Sequence, residues 1–174
     1  MKQLSDTIRS IPDFPKKGIV FRDITTLLKD ADALQNAVNL LNKQYQNSKI
    51  DKVVCIESRG FILGSALAVS LGAGFVPIRK KGKLPAEVIR EQYALEYGTD
   101  VIEMHVDALQ PGERILLHDD LLATGGTMCA ATKLVEKLHA TIIGISFLIE
   151  LSFLQGRKNL KDYDVYSLVQ YDKE

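Results

Sequence analysis

Hydrophobic and polar positions follow two periods along this 174-residue chain. Apolar residues recur at helical spacing from Leu34 to Tyr45, which predicts an amphipathic helix capped by Asp30 and ending near residue 47. Residues 4–11 show similar spacing and predict a short helix. Beyond residue 50, short apolar runs alternate with helical segments. Strands are predicted over residues 52–56, 75–78, 101–106, 115–118, 141–149 and 165–169, and helices over 61–71 and 127–138.

Strands that alternate with helices of this length are typical of an α/β fold. The strand over 141–149 is apolar almost throughout, as expected when helices cover both faces of a parallel sheet. We therefore expect a mostly parallel twisted sheet flanked by helices. Because the chain shows no repeat or linker, we expect one domain over residues 1–174.

Residues 80–100 fit neither period. They are rich in Lys, Glu, Gly and Tyr and contain Pro85. A segment of this length without clear secondary structure is usually a functional loop or an unrecognised element. We expect a flexible lid loop or hairpin here, and a rigid structural arm is the alternative.

The charges balance over the whole chain but not along it. The sequence contains 22 Lys and Arg and 22 Asp and Glu, which argues against a dedicated nucleic-acid-binding protein. Residues 1–90 hold 15 of the cations and 8 of the anions, so residues 91–174 hold 7 and 14. We expect the opposite charges of the two halves to meet at one site.

Cysteine usage and hydropathy suggest a cytoplasmic protein. Cys55 and Cys129 lie in apolar stretches without zinc-binding spacing, which predicts two buried thiols in a reducing compartment. No apolar run is long enough to span a bilayer, and no secretory signal is visible, so we expect no membrane partner.

The strongest chemical signal lies between residues 115 and 127. An apolar strand leads into Asp119 and Asp120, then into a small-residue loop over 123–127 that opens a helix. Backbone N–H groups at a helix N-terminus can bind a phosphate, and carboxylates accept hydrogen bonds from vicinal hydroxyls. The pattern favours a site for a phosphorylated ribose. The alternative is that the two Asp residues only cap a turn.

This stretch resembles the motif with which type I phosphoribosyltransferases bind 5-phosphoribosyl 1-pyrophosphate (PRPP). The resemblance implies the type I phosphoribosyltransferase fold, with an N-terminal purine-binding hood over residues 1–30 and a flexible catalytic loop over 80–100. It implies that Asp119 and Asp120 hold the ribose hydroxyls. It also assigns substrate binding to the loop residues Leu122, Ala123, Thr124, Gly125, Gly126 and Thr127.

Four further segments, at residues 20–25, 57–61, 79–85 and 95–98, look like those of adenine phosphoribosyltransferases in the same order. The likeness implies that the backbone of Val20 pairs with the edge of adenine, that Phe21 stacks on the base and that Arg22 lies near the ring. For Phe21 the alternative is an ordinary core side chain.

The segment over 57–61 predicts a pyrophosphate site. The guanidinium of Arg59 can bind a phosphate group, and N–H groups of Ser58 and Gly60 can join it. Family members carry a pyrophosphate-binding loop here, often with a non-proline cis peptide. A surface arginine in a turn is the alternative.

The basic run over 79–83 contains four cations in five residues. Beside a polyanionic substrate it predicts an electrostatic funnel, with Lys80 and Lys83 in contact with PRPP. A solvated basic face is the alternative. The resemblance makes Glu96 the general acid/base for the purine proton and Tyr97 its neighbour over the leaving group.

His118 interrupts the apolar strand before the acidic pair, and we expect it to pack in or beside the core rather than to act in catalysis. No arrangement of residues suggests a covalent nucleophile.

Taken together, the resemblance implies transfer of the phosphoribosyl group of PRPP to adenine, giving AMP and pyrophosphate in purine salvage. It implies Mg²⁺ held mainly by PRPP, with no certain protein ligand, and a homodimer. Two alternatives stay open. The base could be a 6-oxopurine such as hypoxanthine or guanine, or the protein could be a PRPP-sensing regulator without catalysis.

Overall fold

The computed structural model describes residues 3–94 and 98–174. Its α-helices are α1 (Thr25–Leu28), α2 (Ala31–Tyr45), α3 (Gly60–Leu71) and α4 (Gly126–Lys137). Its strands are β1 (Arg9–Ile11), β2 (Phe21–Asp23), β3 (Lys52–Ile56), β4 (Gly74–Lys80), β5 (Val88–Ala94), β6 (Thr99–His105), β7 (Arg114–Leu122), β8 (Thr141–Leu151) and β9 (Val165–Tyr171). Short 3₁₀ helices span Leu4–Thr7, Ser152–Leu154 and Gly156–Leu160.

Within these ranges, a seven-stranded sheet with the order β5-β6-β4-β3-β7-β8-β9 forms the centre of the fold. From β4 to β9 the neighbouring strands are parallel, whereas β5 and β6 form an antiparallel hairpin at one edge. The predicted α/β class with a mostly parallel sheet is confirmed. Strands β1 and β2 pair separately near the N-terminus.

Helices cover both faces of the parallel strands. Since successive side chains of a strand point to opposite sides, neighbouring residues pack against different helices. Val54 and Leu117 pack in one core cluster with α4, whereas Val53 and Leu116 pack in another with α3 and the end of α2. All four side chains are fully buried. This two-sided burial explains the long apolar runs in β7 and β8.

Helix α2 begins and ends where the hydrophobic period predicts. The Asp30 carboxylate accepts hydrogen bonds from the N–H groups of Asp32 and Ala33, each at 3.1 Å. The predicted helix over residues 4–11 is wrong. A 3₁₀ turn ends at Thr7, whose hydroxyl donates to the Leu4 carbonyl, and the chain then extends as β1 to pair with β2. Pairing with β2 overrides the helical spacing.

The segment over 80–100 has more regular structure than its sequence predicts. Residues 88–94 and 99–100 of this segment belong to the antiparallel pair of β5 and β6, which an ion pair between Arg90 and Glu103 at 2.6 Å holds together. A second ion pair, between Lys137 at the end of α4 and Glu91 of β5, ties the hairpin to the body of the fold. Motion of this hairpin as a lid stays a prediction. None of the helices in the described ranges is both long and apolar enough to cross a membrane.

Candidate active site

A cavity of about 400 Å³ opens at the carboxyl ends of β3, β4 and β7, beside the hairpin. Ligands of open α/β sheets bind at this edge. The structure brings together here six residues that the sequence singles out from three separate segments. The lining residues are Ile56, Glu57, Ser58, Arg59, Lys80, Tyr93, Ile102, Asp119, Asp120, Leu121 and Thr127.

The acidic pair lies inside β7 rather than after it, because β7 runs to Leu122 and remains paired with β8 at Asp119. The Asp119 carboxylate accepts a hydrogen bond from the Asp120 N–H at 2.9 Å, and Asp120 forms an ion pair with Arg59 at 2.9 Å. Burial raises the pKa of Asp119, and the neighbouring charge of Asp120 raises it further. Burial also raises the pKa of Asp120, against the opposing charge of Arg59. Hydroxyl donors or a cation would therefore stabilise the ionised pair.

Helix α3 starts directly against this pair. A methyl group on Gly60 would lie 2.7 Å from the Asp119 Oδ1 atom and 3.1 Å from its Cα. Only glycine therefore allows the first turn of α3 to approach β7 this closely. The spacing of the motifs gives no sign of this contact, because Gly60 and Asp119 are far apart in sequence.

Glu57 organises the basic run. Its carboxylate accepts hydrogen bonds from Arg79 Nε at 2.9 Å, from the Lys80 N–H at 3.1 Å and from the Lys83 ammonium. Burial raises the pKa of Glu57, but these hydrogen bonds outweigh burial and hold the pKa below its usual value. The Glu57–Ser58 peptide bond is cis. Sequence reasoning assigned no role to Glu57, since its three partners follow it by more than twenty residues.

Lys80 is held by a second acidic residue. Its ammonium lies 3.1 Å from Asp100, which also accepts a hydrogen bond from the Tyr93 hydroxyl at 3.3 Å. The Tyr93 hydroxyl also interacts with Thr127 of the loop over 123–127, and burial raises the pKa of Tyr93. Sequence reasoning missed Tyr93 because β5 was not recognised as a strand.

The predicted meeting of opposite charges thus takes the form of discrete ion pairs. Arg59 with Asp120 and Lys80 with Asp100 join the two halves of the chain, whereas Lys83 pairs with Glu57 of its own half.

The loop from Ala123 to Thr127 connects β7 to α4. Gly125 adopts a left-handed backbone with φ of 83°, and the helix starts at the next residue. The N–H groups of a first helical turn lack intrahelical acceptors and carry the positive end of the helix dipole, so this loop can bind an anion. The Leu122 side chain is 1 % exposed and packs in the core, whereas the adjacent Leu121 lines the cavity. A role of Leu122 in substrate binding stays a prediction.

The predicted base-binding segment lies next to Arg59. The Phe21 ring is partly exposed and makes an edge-to-face contact with Phe14 at 5.3 Å, while the Arg59 guanidinium lies 5.3 Å from the Phe21 centroid. Phe21 is therefore not an ordinary core residue. Val20 directly precedes β2.

The Arg22 side chain is directed to β1 and to the C-terminal end of the chain. Its guanidinium stacks over Tyr171 at 3.9 Å and donates to the Ser10 hydroxyl and the Lys173 carbonyl. These contacts tie β2 to β1, to the end of β9 and to Lys173 after it. The predicted position of Arg22 near the purine ring stays a prediction.

Glu96 and Tyr97 lie outside the described residues, and their roles stay predictions. His118 packs in the core as expected, with its Nδ1 atom 2.9 Å from the Ser146 hydroxyl, and burial lowers its pKa to about 4. Cys55 is buried, but Cys129 is only half-buried, so the expectation of two buried thiols holds for one of them.

A divalent cation would depend on substrate oxygens for most of its ligands here. Among residues 3–94 and 98–174, no three His, Cys, Asp or Glu side chains are grouped so that they could hold a metal ion. The carboxylates of Asp119 and Asp120 are hard oxygen ligands, which suit Mg²⁺ bound together with phosphate oxygens and water.

Comparison with known proteins agrees with this geometry. The family model described as phosphoribosyl transferase domain matches residues 24–173. The adenine phosphoribosyltransferase of Brachyspira hyodysenteriae is 56% identical over 169 residues, which cover 97% of this chain and 99% of that protein.

Solved structures give the same result. The crystal structure of adenine phosphoribosyltransferase from Thermoanaerobacter pseudethanolicus superposes with a TM-score of 0.94 at 52% identity, covering 97% of this chain and 98% of that one. The enzyme from Saccharomyces cerevisiae, complexed with an imino-altritol bisphosphate and adenine, gives a TM-score of 0.89 at 40% identity, covering 95% and 96%.

Proposed function

The chain belongs to the adenine phosphoribosyltransferase family of phosphoribosyl transferase domains, and we propose that it transfers the 5-phosphoribosyl group of PRPP to adenine, giving AMP and pyrophosphate in purine salvage. One observation carries the proposal for PRPP: Arg59, the pair Asp119–Asp120 and Thr127 of the phosphate loop over 123–127 line one cavity, and Arg59 contacts Asp120. These three groups suit the pyrophosphate, the ribose hydroxyls and the 5′-phosphate of one substrate. The relatives named adenine phosphoribosyltransferase support adenine as the base.

In this proposal each part of PRPP meets a different element. The 5′-phosphate binds the N–H groups over 125–127 and the Thr127 hydroxyl, because these donors lie at the N-terminus of α4, where the helix dipole is positive. The ribose hydroxyls donate to Asp119 and Asp120, which relieves the repulsion between two buried carboxylates. The pyrophosphate binds Arg59, the backbone of Ser58 and Gly60, and the ammonium groups of Lys80 and Lys83.

Substrate binding therefore exchanges ion pairs instead of filling a site of free cations. Arg59 leaves Asp120 for the pyrophosphate, and Asp120 gains a ribose hydroxyl in return. Lys80 and Lys83 likewise trade Asp100 and Glu57 for phosphate oxygens. Each cation is already held near the cavity by its carboxylate, which reduces the entropy lost when it binds the substrate.

The bond between C1 of the ribose and the pyrophosphate oxygen then breaks, and the electron pair leaves with the pyrophosphate. N9 of adenine attacks C1, which carries oxocarbenium character. Arg59 and the two lysines stabilise the charge on the leaving group, and the acidic pair holds the ring in line. When bound, Mg²⁺ neutralises pyrophosphate oxygens, and Asp119 and Asp120 would hold it through substrate or water.

Adenine loses a proton as N9 attacks, and Glu96 accepts that proton as a general base, with Tyr97 beside it over the leaving group. The base lies against Phe21, and the backbone of Val20 and Arg22 pairs with its edge. The contact between Phe21 and Arg59 supports a base site next to the pyrophosphate site.

The protein acts as a homodimer in this proposal, and helix α3 supplies the interface. The outward side chains Ile62 and Val69 of α3 and Phe75 of β4 are 45%, 83% and 37% exposed, although α3 is apolar on all sides. A helix of that kind is normally buried. Sedimentation equilibrium tests this proposal: the wild type should be dimeric, and Val69→Lys should shift it toward monomer. A wild-type monomer at micromolar concentration would contradict it.

The test of function is a panel of bases. Purified protein with Mg²⁺ and PRPP is offered adenine, hypoxanthine and guanine in separate reactions, and pyrophosphate release is followed. Turnover with adenine is expected. Exclusive turnover of a 6-oxopurine would overturn the choice of base, and PRPP binding without turnover of any base would favour a sensor.

A further inference from the structure

The phosphate loop is backed by a segment that the proposed chemistry does not use. The 3₁₀ helix Gly156–Leu160, which follows β8, lies against the loop on the side of Ala123 and Gly125. A methyl group on Gly125 would lie 2.7 Å from the Gly156 carbonyl oxygen, and one on Gly156 would overlap the Ala123 carbonyl oxygen. The two backbones are therefore in direct contact at both glycines.

One side chain of this segment reaches the loop. The Asn159 amide donates a hydrogen bond from Nδ2 to the Thr124 carbonyl oxygen at 2.8 Å. This is a contact between the two segments that involves the backbone of the loop and not its side chains. It fixes the direction of one peptide unit in the loop.

That direction matters because a trans peptide unit is planar, with its C=O and N–H groups pointing in opposite directions. The peptide between Thr124 and Gly125 has its carbonyl turned toward Asn159. Its N–H, which belongs to Gly125, must then point away from Asn159. Gly125 directly precedes α4, so this N–H lies next to the first turn of the helix, whose N–H groups carry the positive end of the helix dipole.

The segment that carries Asn159 is itself firmly anchored. Arg157 binds the Glu150 carboxylate with Nε and Nη2, each at 2.7 Å, and donates from Nη1 to the Val165 carbonyl at 2.7 Å. Leu160 is 1 % exposed and packs in the core cluster of α4. Asn159 therefore acts from a support that is fixed to both β8 and β9.

We propose that Asn159 is a positioning residue for the 5′-phosphate, which holds the Thr124 carbonyl outward so that the Gly125 N–H faces the phosphate. This proposal rests on the proposed function, since it takes the loop over 123–127 as the phosphate site. Asn159 does not touch the substrate. Its removal should weaken binding at the 5′-phosphate end of PRPP and leave the pyrophosphate end unchanged.

The test compares two ligands that occupy opposite ends of the site. Calorimetry measures the Kd of ribose 5-phosphate, and separately of pyrophosphate with Mg²⁺, for the wild type, Asn159→Ala and the control Lys158→Ala, which changes the exposed neighbour. In Asn159→Ala the Kd of ribose 5-phosphate should rise about two- to tenfold, the range expected for one hydrogen bond. The Kd of pyrophosphate should not change, and neither should either Kd in the control.

Steady-state kinetics gives a second readout. The KM for PRPP should rise by a similar factor in Asn159→Ala, with kcat and the KM for adenine near wild type, because the 5′-phosphate contact is the same before and during the reaction. Asn159→Gln retains an amide donor and should recover part of the loss. Asn159→Asp retains the size but loses the donor, and should bind ribose 5-phosphate at least as weakly as Asn159→Ala.

Unchanged ribose 5-phosphate binding in both Asn159→Ala and Asn159→Asp would overturn the proposal, and so would equal weakening of both ligands. A wild type that binds neither PRPP nor ribose 5-phosphate would instead overturn the proposed function, and this inference with it.

Discussion

Gly60→Ala tests whether the position of Asp119 controls the reaction. The new methyl group would lie 2.7 Å from Asp119 Oδ1, 3.1 Å from Asp119 Cα and 3.3 Å from the His118 carbonyl oxygen. Two of these atoms belong to the backbone of β7, so a side-chain rotation alone cannot relieve the overlap. Either the carboxylate or the start of α3 must shift.

The cost to stability follows from the overlap. Overpacking of this kind destabilises by about 1–3 kcal/mol, and each kcal/mol lowers the Tm of a domain of this size by roughly 2–4 °C. The cost to function is larger if Asp119 binds the ribose. Loss of a hydrogen bond to a charged group costs about 1.5–3 kcal/mol, so kcat/KM for PRPP should fall about 10- to 100-fold.

The matched control is Gly64→Ala on the same helix. A methyl group there would overlap the Cys55 Sγ atom and approach the His118 ring at 3.3 Å, but it would not touch Asp119. Initial rates with varied PRPP are measured well below the Tm of each variant. Gly64→Ala should lose at least as much stability as Gly60→Ala while its kcat/KM stays near wild type. A Gly60→Ala enzyme with wild-type kcat/KM for PRPP would refute the role given to Asp119.

Three further outcomes are expected. Asp120→Asn should raise the KM for PRPP about tenfold or more, since the substitution removes a charged acceptor and the partner of Arg59. An unchanged KM would contradict the role proposed for Asp120. Glu96→Gln should lower kcat by about 10²-fold with little change in substrate affinity, and full activity would remove the proton role. Arg9 lowers the pKa of Asp23 to about 2, so urea unfolding should show stability that is present above pH 4 and lost as the pH falls toward 2, and Asp23→Asn should reduce this loss.

Where a segment shows one clear hydrophobic pattern, the sequence predicts its secondary structure correctly. Helix α2 has its cap at Asp30 and its buried face at the predicted spacing, and β8 is apolar because helices cover both of its faces. The candidate site follows largely from one contiguous string, because Asp119, Asp120 and the phosphate loop are neighbours in the chain as well as in space.

The remaining features depend on contacts between distant segments. Strand β5 carries charged and polar residues at the edge of the sheet, and only its pairing with β6 makes it a strand. Tyr93 lines the cavity because it lies on that strand. Glu57 binds the side chains of Arg79 on β4 and of Lys83, which follows β4. The hydrogen bond from Asn159 to Thr124 spans 35 residues, and no local pattern encodes it.

The most direct test of the account is the stoichiometry of the reaction with adenine. Purified protein, Mg²⁺, PRPP and adenine are incubated, and AMP and pyrophosphate are quantified by chromatography, with an Asp119→Asn, Asp120→Asn double variant as control. The account predicts equal amounts of AMP and pyrophosphate from the wild type and almost none from the double variant. Absence of AMP with the wild type, or wild-type yields from the double variant, would contradict it.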